Sequence, residues 1–359
     1  MDPVTHFLTG ACLGRAGFNR KTAYATLAMT LAAEAPDVDV VAAFGGPVFG
    51  FCHHRGFTHT LVGAPLMALA VTGVVWSIAA LRSKLGRPPL QPVRWVWVWL
   101  LALVADFSHL FLDYTNNYGL RPFFPFDAHW YAWSTVFIFE PVLFAVLVLG
   151  LIVPALLGLV EGEMRRRQPG QLRGRSWAIA ALVGAALLYT VRGAEHAHAI
   201  RLVEQAGSLA NTREPLLRLA AEPVMGDPFT WHVLAETQSG YQSAVVRTLH
   251  DNVDPGDVTP KRPVTAAVAA AKASYLGRVY GDWSSWPLTE DLGSISPPGD
   301  MASLPPGAHT VLFRDLRFAP EALGPLAGEG GTNPVLSGFV VVGDRGAILS
   351  QWMSGRQQH

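Results

Sequence analysis

Four stretches, approximately 59–81, 94–113, 136–160 and 176–193, stay apolar long enough to cross a hydrocarbon core of about 30 Å, which takes roughly 20 helical residues. Windows 4–17 and 22–36 are shorter and more polar, and their pattern predicts a helical hairpin packed on the others, crossing partly or obliquely. Beyond residue 194 the pattern changes. Strand-like alternation appears in Thr230–Glu236, Tyr241–Leu249, Thr310–Phe318 and Leu336–Val342, and Asp344-Arg-Gly346 reads as a hairpin turn into Ala347–Trp352. The predicted fold is therefore mainly α. A polytopic helical membrane bundle of four long spans plus an N-terminal hairpin fills 1–194, and a small α+β domain with an antiparallel sheet fills 195–359.

Composition agrees with that division. Half of the 359 residues are hydrophobic and 15% are charged, with the apolar bias concentrated before about residue 193. Basic and acidic side chains balance at 27 each, so nucleic-acid binding is not expected. Cys12 and Cys52 both precede the second domain, which excludes a disulfide framework there and any cysteine-only metal site. The opening MDPVTHF has no basic residue ahead of its first apolar stretch, which Thr9, Gly10, Gly14 and Arg15 interrupt; it does not read as a cleavable signal peptide.

Lys and Arg in short loops set orientation, because they are retained in the cytoplasm. Arg82, Lys84, Arg87 and Arg94 follow the first long span, and Arg165, Arg166, Arg167, Arg173 and Arg175 lie between the third and fourth. Asn19-Arg20-Lys21 joins the hairpin on the same side. The chain is thus expected in the cytoplasmic membrane with residues 195–359 outside the cytoplasm. Trp130, Tyr131 and Trp133, with Trp95, Trp97 and Trp99, suit interfacial belts under any function.

With topology assigned from basic residues alone, the other unusual polar residues of the membrane half all fall at exterior ends. Asp106, His109 and Asp113, at offsets of 3 and 7, share about 60° of helix arc. Ionisable groups in a bilayer cost about 2.5–3.5 kcal/mol each and normally mark a polar interior with partners. An imidazole between two carboxylates suits a divalent cation where thiolates are absent. Ahead of the first long span, HHRGFTHT places His53, His54 and His59 around a glycine, so that a turn can aim two imidazoles at one point. Arg55 adds a cation able to clamp a phosphate oxygen, and Thr58 or Thr60 can cap the following helix. Glu34-Ala-Pro-Asp37-Val-Asp39 brings two alternate carboxylates from a non-helical segment. His6 opens the first helix, and Glu140 is a candidate ligand, base or hydrogen-bond partner of a ligand. The expected metal ligands are His6, Asp37, Asp39, His54, His59, Asp106, His109 and Asp113, with Arg55, Glu34 and Glu140 in catalytic roles.

These residues, with MDPVTH at 1–6, APDVD at 35–39, HHRGFTHT at 53–60 and DFSHLFLDYTNNYG at 106–119, resemble the membrane-bound, metal-dependent hydrolase family of YdjM type over roughly residues 1–200. More remotely, the order His, Asp, His, then His-x-x-x-Asp is similar to part of the metal framework of zinc-dependent phospholipases C and P1-type nucleases. That likeness implies phosphoester cleavage with zinc. The absence of an evident second His-x-x-x-Asp pair reduces the expectation to one or two ions.

The function expected is a membrane-bound metal-dependent hydrolase acting on a phosphoester or lipid-linked, amphipathic substrate at the outer face, with the bilayer itself as the other partner. The alternative is a transporter or metal-handling protein using the same residues as an ion path, for which no matching acid or histidine stands at the cytoplasmic ends. A scaffold with a structural metal is a third reading. The second domain carries no recognisable catalytic constellation, and His232 and His250 read as surface or structural residues.

Overall fold

The structure, a computed structural model, describes residues 1–164, 174–206, 214–298, 304–319 and 336–358. Arg165, Arg166, Arg167 and Arg173 of the second basic loop lie outside the described residues. The chain divides into two units, one of Met1–Asp39 with Arg55–Gly193, the other of Val40–His54 with Ala194–His359.

In the first unit Asp2 caps the helix α1 (Pro3–Arg15) by accepting the Thr5 N–H at 3.0 Å, with proline in the first turn. Helix α2 (Ala25–Ala32) completes the hairpin, and its segment stops one turn before Pro36. The two cross closely because Gly10 and Gly14 face it: a Cβ at Gly10 would stand 2.5 Å from the Met29 carbonyl oxygen, and one at Gly14 2.7 Å from Thr26 Cα.

Helices α4 (Gly63–Lys84) and α5 (Trp95–Thr115) follow, then α6 (Pro141–Met164) and α7 (Arg175–Ala206). By length and composition α4, α5 and α7 can each cross a membrane, while α6 is apolar over the shorter stretch Pro141–Leu157. Helix α4 begins four residues later than the apolar run, because Phe57–His59 forms a 3-10 turn first, and the Thr60 hydroxyl accepts the Gly63 N–H at 2.8 Å. Small residues let α2, α4 and α5 approach: Ala25, Ala28, Ala32, Ala68, Val71, Ala102 and Ala105 form one buried cluster. Leu66, Leu69, Val74, Trp76 and Leu81 on α4 point outward and are exposed, as lipid-facing positions should be.

The second unit carries two antiparallel sheets where the sequence predicts one small sheet. One sheet orders β1 (Arg218–Pro223), β2 (Thr230–Glu236), β3 (Gly240–Arg247) and β4 (Asn252–Pro260); the other orders β5 (Pro287–Asp291), β6 (His309–Asp315), β7 (Gly338–Val342), β8 (Ile348–Met353) and β9 (Arg356–Gln357). Ala199 and Val203 of α7 pack on Trp231, Val233, Ala244 and Val246 of the first sheet. Helices α8 (Ala266–Ala273) and α9 (Tyr275–Trp283) link the sheets, capped by Thr265 and Ser274. The segment containing α3 (Pro47–His53) belongs here: Phe51 packs edge-on to Trp283, and the Gln358 amide bonds the Val48 N–H and the Gly45 carbonyl.

Candidate metal centre

Helix α5 delivers the central groups. Asp106, His109 and Asp113 lie on its buried face, as their spacing predicts. His109 Nδ1 lies 2.8 Å from the Ala33 carbonyl oxygen, which only accepts, so Nδ1 carries the proton and Nε2 presents its lone pair. His59, in the 3-10 turn ahead of α4, directs Nδ1 at Asp39 Oδ2 (3.2 Å) and lies 3.0 Å from the Thr58 hydroxyl. Its Nε2 therefore faces the same point.

Around that point His59 Nε2 and His109 Nε2 are 3.1 Å apart. Asp113 Oδ2 stands 3.4 Å from His109 Nε2 and 3.5 Å from His59 Nε2; Asp37 Oδ1 stands 3.3 Å from His59 Nε2 and 3.8 Å from His109 Nε2. Ligand atoms bonded to tetrahedral zinc at about 2.0–2.1 Å stand roughly 3.3 Å apart, so the donor set fits such an ion. Each of these atoms is an acceptor when the imidazoles are neutral, and acceptors converge at this range only around a cation. A proton on His59 is one such cation. Burial lowers the His59 pKa, yet Asp37 and Asp39 outweigh it and raise it. For Asp37 burial pushes upward, but His59, His109 and His6 together hold the carboxyl below its usual range.

His6 stacks on His109 with ring centroids 3.7 Å apart, its Nε2 3.4 Å from Asp113 Oδ1. His6, Asp37 and His109 form a second possible ligand group, sharing two members with the first set. The other oxygen of Asp113 is committed: Arg55 Nη2 donates to Oδ1 at 2.7 Å, Asn116 Nδ2 at 3.2 Å, and the Met1 amine also lies on it. Oδ2 has no hydrogen-bond donor among the described residues.

Arg55 is only 2% exposed, and its other donors reach Asn116 Oδ1 (3.2 Å) and the Gly119 carbonyl (2.7 Å). The expected phosphate clamp is thus engaged with Asp113. Asp39 faces His59 Nδ1 and accepts the Arg55 N–H at 2.7 Å, which places it to orient that imidazole. Asp106 is wholly buried, neither oxygen has a hydrogen-bond partner, and it joins no possible ligand group among the described residues. His54 ends the Val40–His54 segment, which belongs to the other unit. Glu140 joins none of these groups either; it receives Arg192 Nη2 at 2.6 Å in a fully buried pair. Glu34 is half-buried, and burial first, then the Asp37 charge, pushes its carboxyl up to about 7.

Sequence reasoning missed the Ala33 carbonyl, Asn116 and Arg192, and took Thr58 as a helix cap where its hydroxyl meets His59. Only Arg192 carried a signal, as a lone cation inside an apolar span that needs a buried carboxylate nearby.

The model of the YdjM inner membrane protein family matches residues 1–199, which take in every residue of this centre. The chain is also 29% identical over 152 residues to "Uncharacterized protein YfhP" of Bacillus subtilis (strain 168), a match covering 40% of this chain and 43% of that protein. No solved structure matches.

Proposed function

The chain belongs to the YdjM inner membrane protein family, and from that premise we propose that it is a membrane-bound, metal-dependent hydrolase acting on a phosphoester of a lipid-linked or amphipathic substrate at the outer face of the cytoplasmic membrane. The observation that carries the metal is the convergence of His59 Nε2, His109 Nε2, Asp37 Oδ1 and Asp113 Oδ2 with no proton donor among them beyond the imidazoles themselves. A divalent ion there, zinc first by its donors, supplies Lewis acidity and a bound water of lowered pKa.

The chain's own residues do the rest. Asp39 and the Ala33 carbonyl hold the two imidazoles in the tautomer that presents Nε2. Arg55 fixes Asp113 through Oδ1 and leaves Oδ2 to face the histidines, so it acts through Asp113 and not on the substrate. Glu34 is the group we assign as proton acceptor: one of its buried oxygens lacks a hydrogen-bond partner, and burial with the nearby Asp37 charge pushes its carboxyl upward.

Amphipathic substrate follows from the neighbours of the ligands. His6, His59 and His109 are buried, whereas Phe7, Phe57 and Phe107 beside or near them are exposed, as is Val38 between Asp37 and Asp39. A polar centre wrapped in outward-facing apolar residues serves a substrate that arrives from lipid.

The test is turnover of a panel of phosphomonoesters, phosphodiesters and phospholipids by the zinc-loaded full chain in lipid nanodiscs. Hydrolysis of at least one class, lost in a His109→Ala variant that remains monodisperse, supports the reading. Equal turnover by the variant, or none by either protein alongside zinc flux into vesicles, overturns it.

A further inference from the structure

The second unit contains a cavity of about 500 Å³ bounded by β3, the β4–α8 connection, α8, α9 and the β5–β6 pair. Its inner wall is apolar and aromatic: Tyr280, Phe313, Leu288 and Val268 are all buried. The tyrosine hydroxyls are already used, Tyr241 donating to the Pro287 carbonyl at 3.0 Å and Tyr280 to the Leu336 carbonyl at 3.0 Å, so ring faces are what they offer. Such a volume and lining are those of a small-molecule site.

Charge narrows the ligand. Lys261, Arg262 and Lys272 line the cavity, and no acidic side chain does. The carboxylates nearest to these cations are each shared with a further arginine. Glu236 accepts from Lys261 and Arg218, both at 2.6 Å, and Glu290 lies 3.6 Å from Arg262 and 3.1 Å from Arg314. Lys272 has no ion-pair partner among the described residues and is exposed. Positive charge is therefore in excess at the rim of an apolar pocket.

Gly281 gives the independent sign that the space is kept open. It lies inside α9 on the cavity wall, where glycine weakens a helix, and packing does not demand it: a Cβ there would meet no atom within 4 Å. Gly277, one turn earlier, is different, since a Cβ there would stand 2.1 Å from the Ala271 carbonyl oxygen. One glycine relieves a clash; the other only leaves room.

We propose that this cavity binds a small amphiphilic anion, its carboxylate or phosphate head at Lys272, Lys261 and Arg262 and its apolar body against Tyr280, Phe313 and Leu288. The site lies within the second unit and does not depend on metal in the first.

The test measures binding of 2-naphthoate and of uncharged 2-naphthamide to the full chain in nanodiscs, with empty nanodiscs subtracted. Saturable naphthoate binding is expected, weaker by about tenfold or more for the amide and weakening with added salt. Gly281→Phe, which fills the cavity, should abolish it, and Lys272→Glu should weaken it about tenfold or more; the exposed Lys272 position decides alone if Gly281→Phe fails to fold. His109→Ala should leave it intact. Equal affinity for acid and amide, wild-type affinity in Lys272→Glu, loss in His109→Ala, or no saturable binding would each overturn the proposal.

Discussion

Two buried carboxylates, one in each unit, show opposite designs. Asp315 of β6 is only 4% exposed, and its own neighbourhood completes it: Arg317 donates through Nε and Nη2 at 2.9 Å each, Ser284 at 2.6 Å and the Trp286 N–H at 3.2 Å. Burial pushes Asp315 upward, but the Arg317 charge outweighs it and keeps the carboxyl below its usual range. Asp113 is wholly buried too, yet only Oδ1 is completed, while Oδ2 faces two imidazole nitrogens. Asp315 is closed by its own chain, whereas Asp113 is closed on one side and open toward two imidazoles, the arrangement that a bound cation would complete. The Glu140–Arg192 pair shows that the first unit also builds closed sites.

The largest contrast should come from His109→Ala, which removes a donor common to the His6–Asp37–His109 and His59–His109–Asp113 groups. Metal retained through purification should fall to background, read by elemental analysis of the full chain. Asp315→Ala should do the reverse, costing about 3–5 kcal/mol by stranding Arg317, with metal content unchanged; faster hydrogen exchange in β6 would register it. Glu140→Gln should likewise destabilise the first unit and leave metal content alone, and a variant that lost its metal would bring Glu140 into the ligand set. A smaller effect is expected for Asp39→Asn, where His59 loses its orienting carboxylate: affinity should drop about 10–100-fold in a chelator competition while stoichiometry at saturation stays the same. Least of all, Thr58→Ala should cost about 1 kcal/mol or less in thermal stability and retain metal.

What could be read from the sequence divides along the same line. Periodicity located α1, α2, α4 and α5, and it placed Asp106, His109 and Asp113 on one face, because regular helical spacing is local information. Roles within the cluster were not local. Asp37 and Asp39 are indistinguishable in the sequence, yet one faces Nε2 of His59 and the other Nδ1, a difference set by how the 3-10 segment packs. Arg55 resembled a free clamp until Asp113 and Asn116 were folded against it. In the second unit β2, β3, β6, β7 and β8 carry short runs rich in β-branched, aromatic and other apolar residues, whereas β4 does not: NVDPGDVTP is polar, punctuated by proline and glycine, and pairs only with β3 at the sheet edge. Helix α8 is nearly all alanine and so carries little amphipathic signal of its own.

The account turns on a cation at the point where His59, His109, Asp37 and Asp113 meet. Zinc K-edge absorption on the full chain, loaded with zinc and freed of excess, tests this most directly. One or two ions per chain with nitrogen and oxygen ligands at about 2.0–2.1 Å, lost when His59 and His109 are both replaced by alanine, is the predicted result. A chain that retains no zinc, or retains the same zinc environment in the double variant, would contradict it.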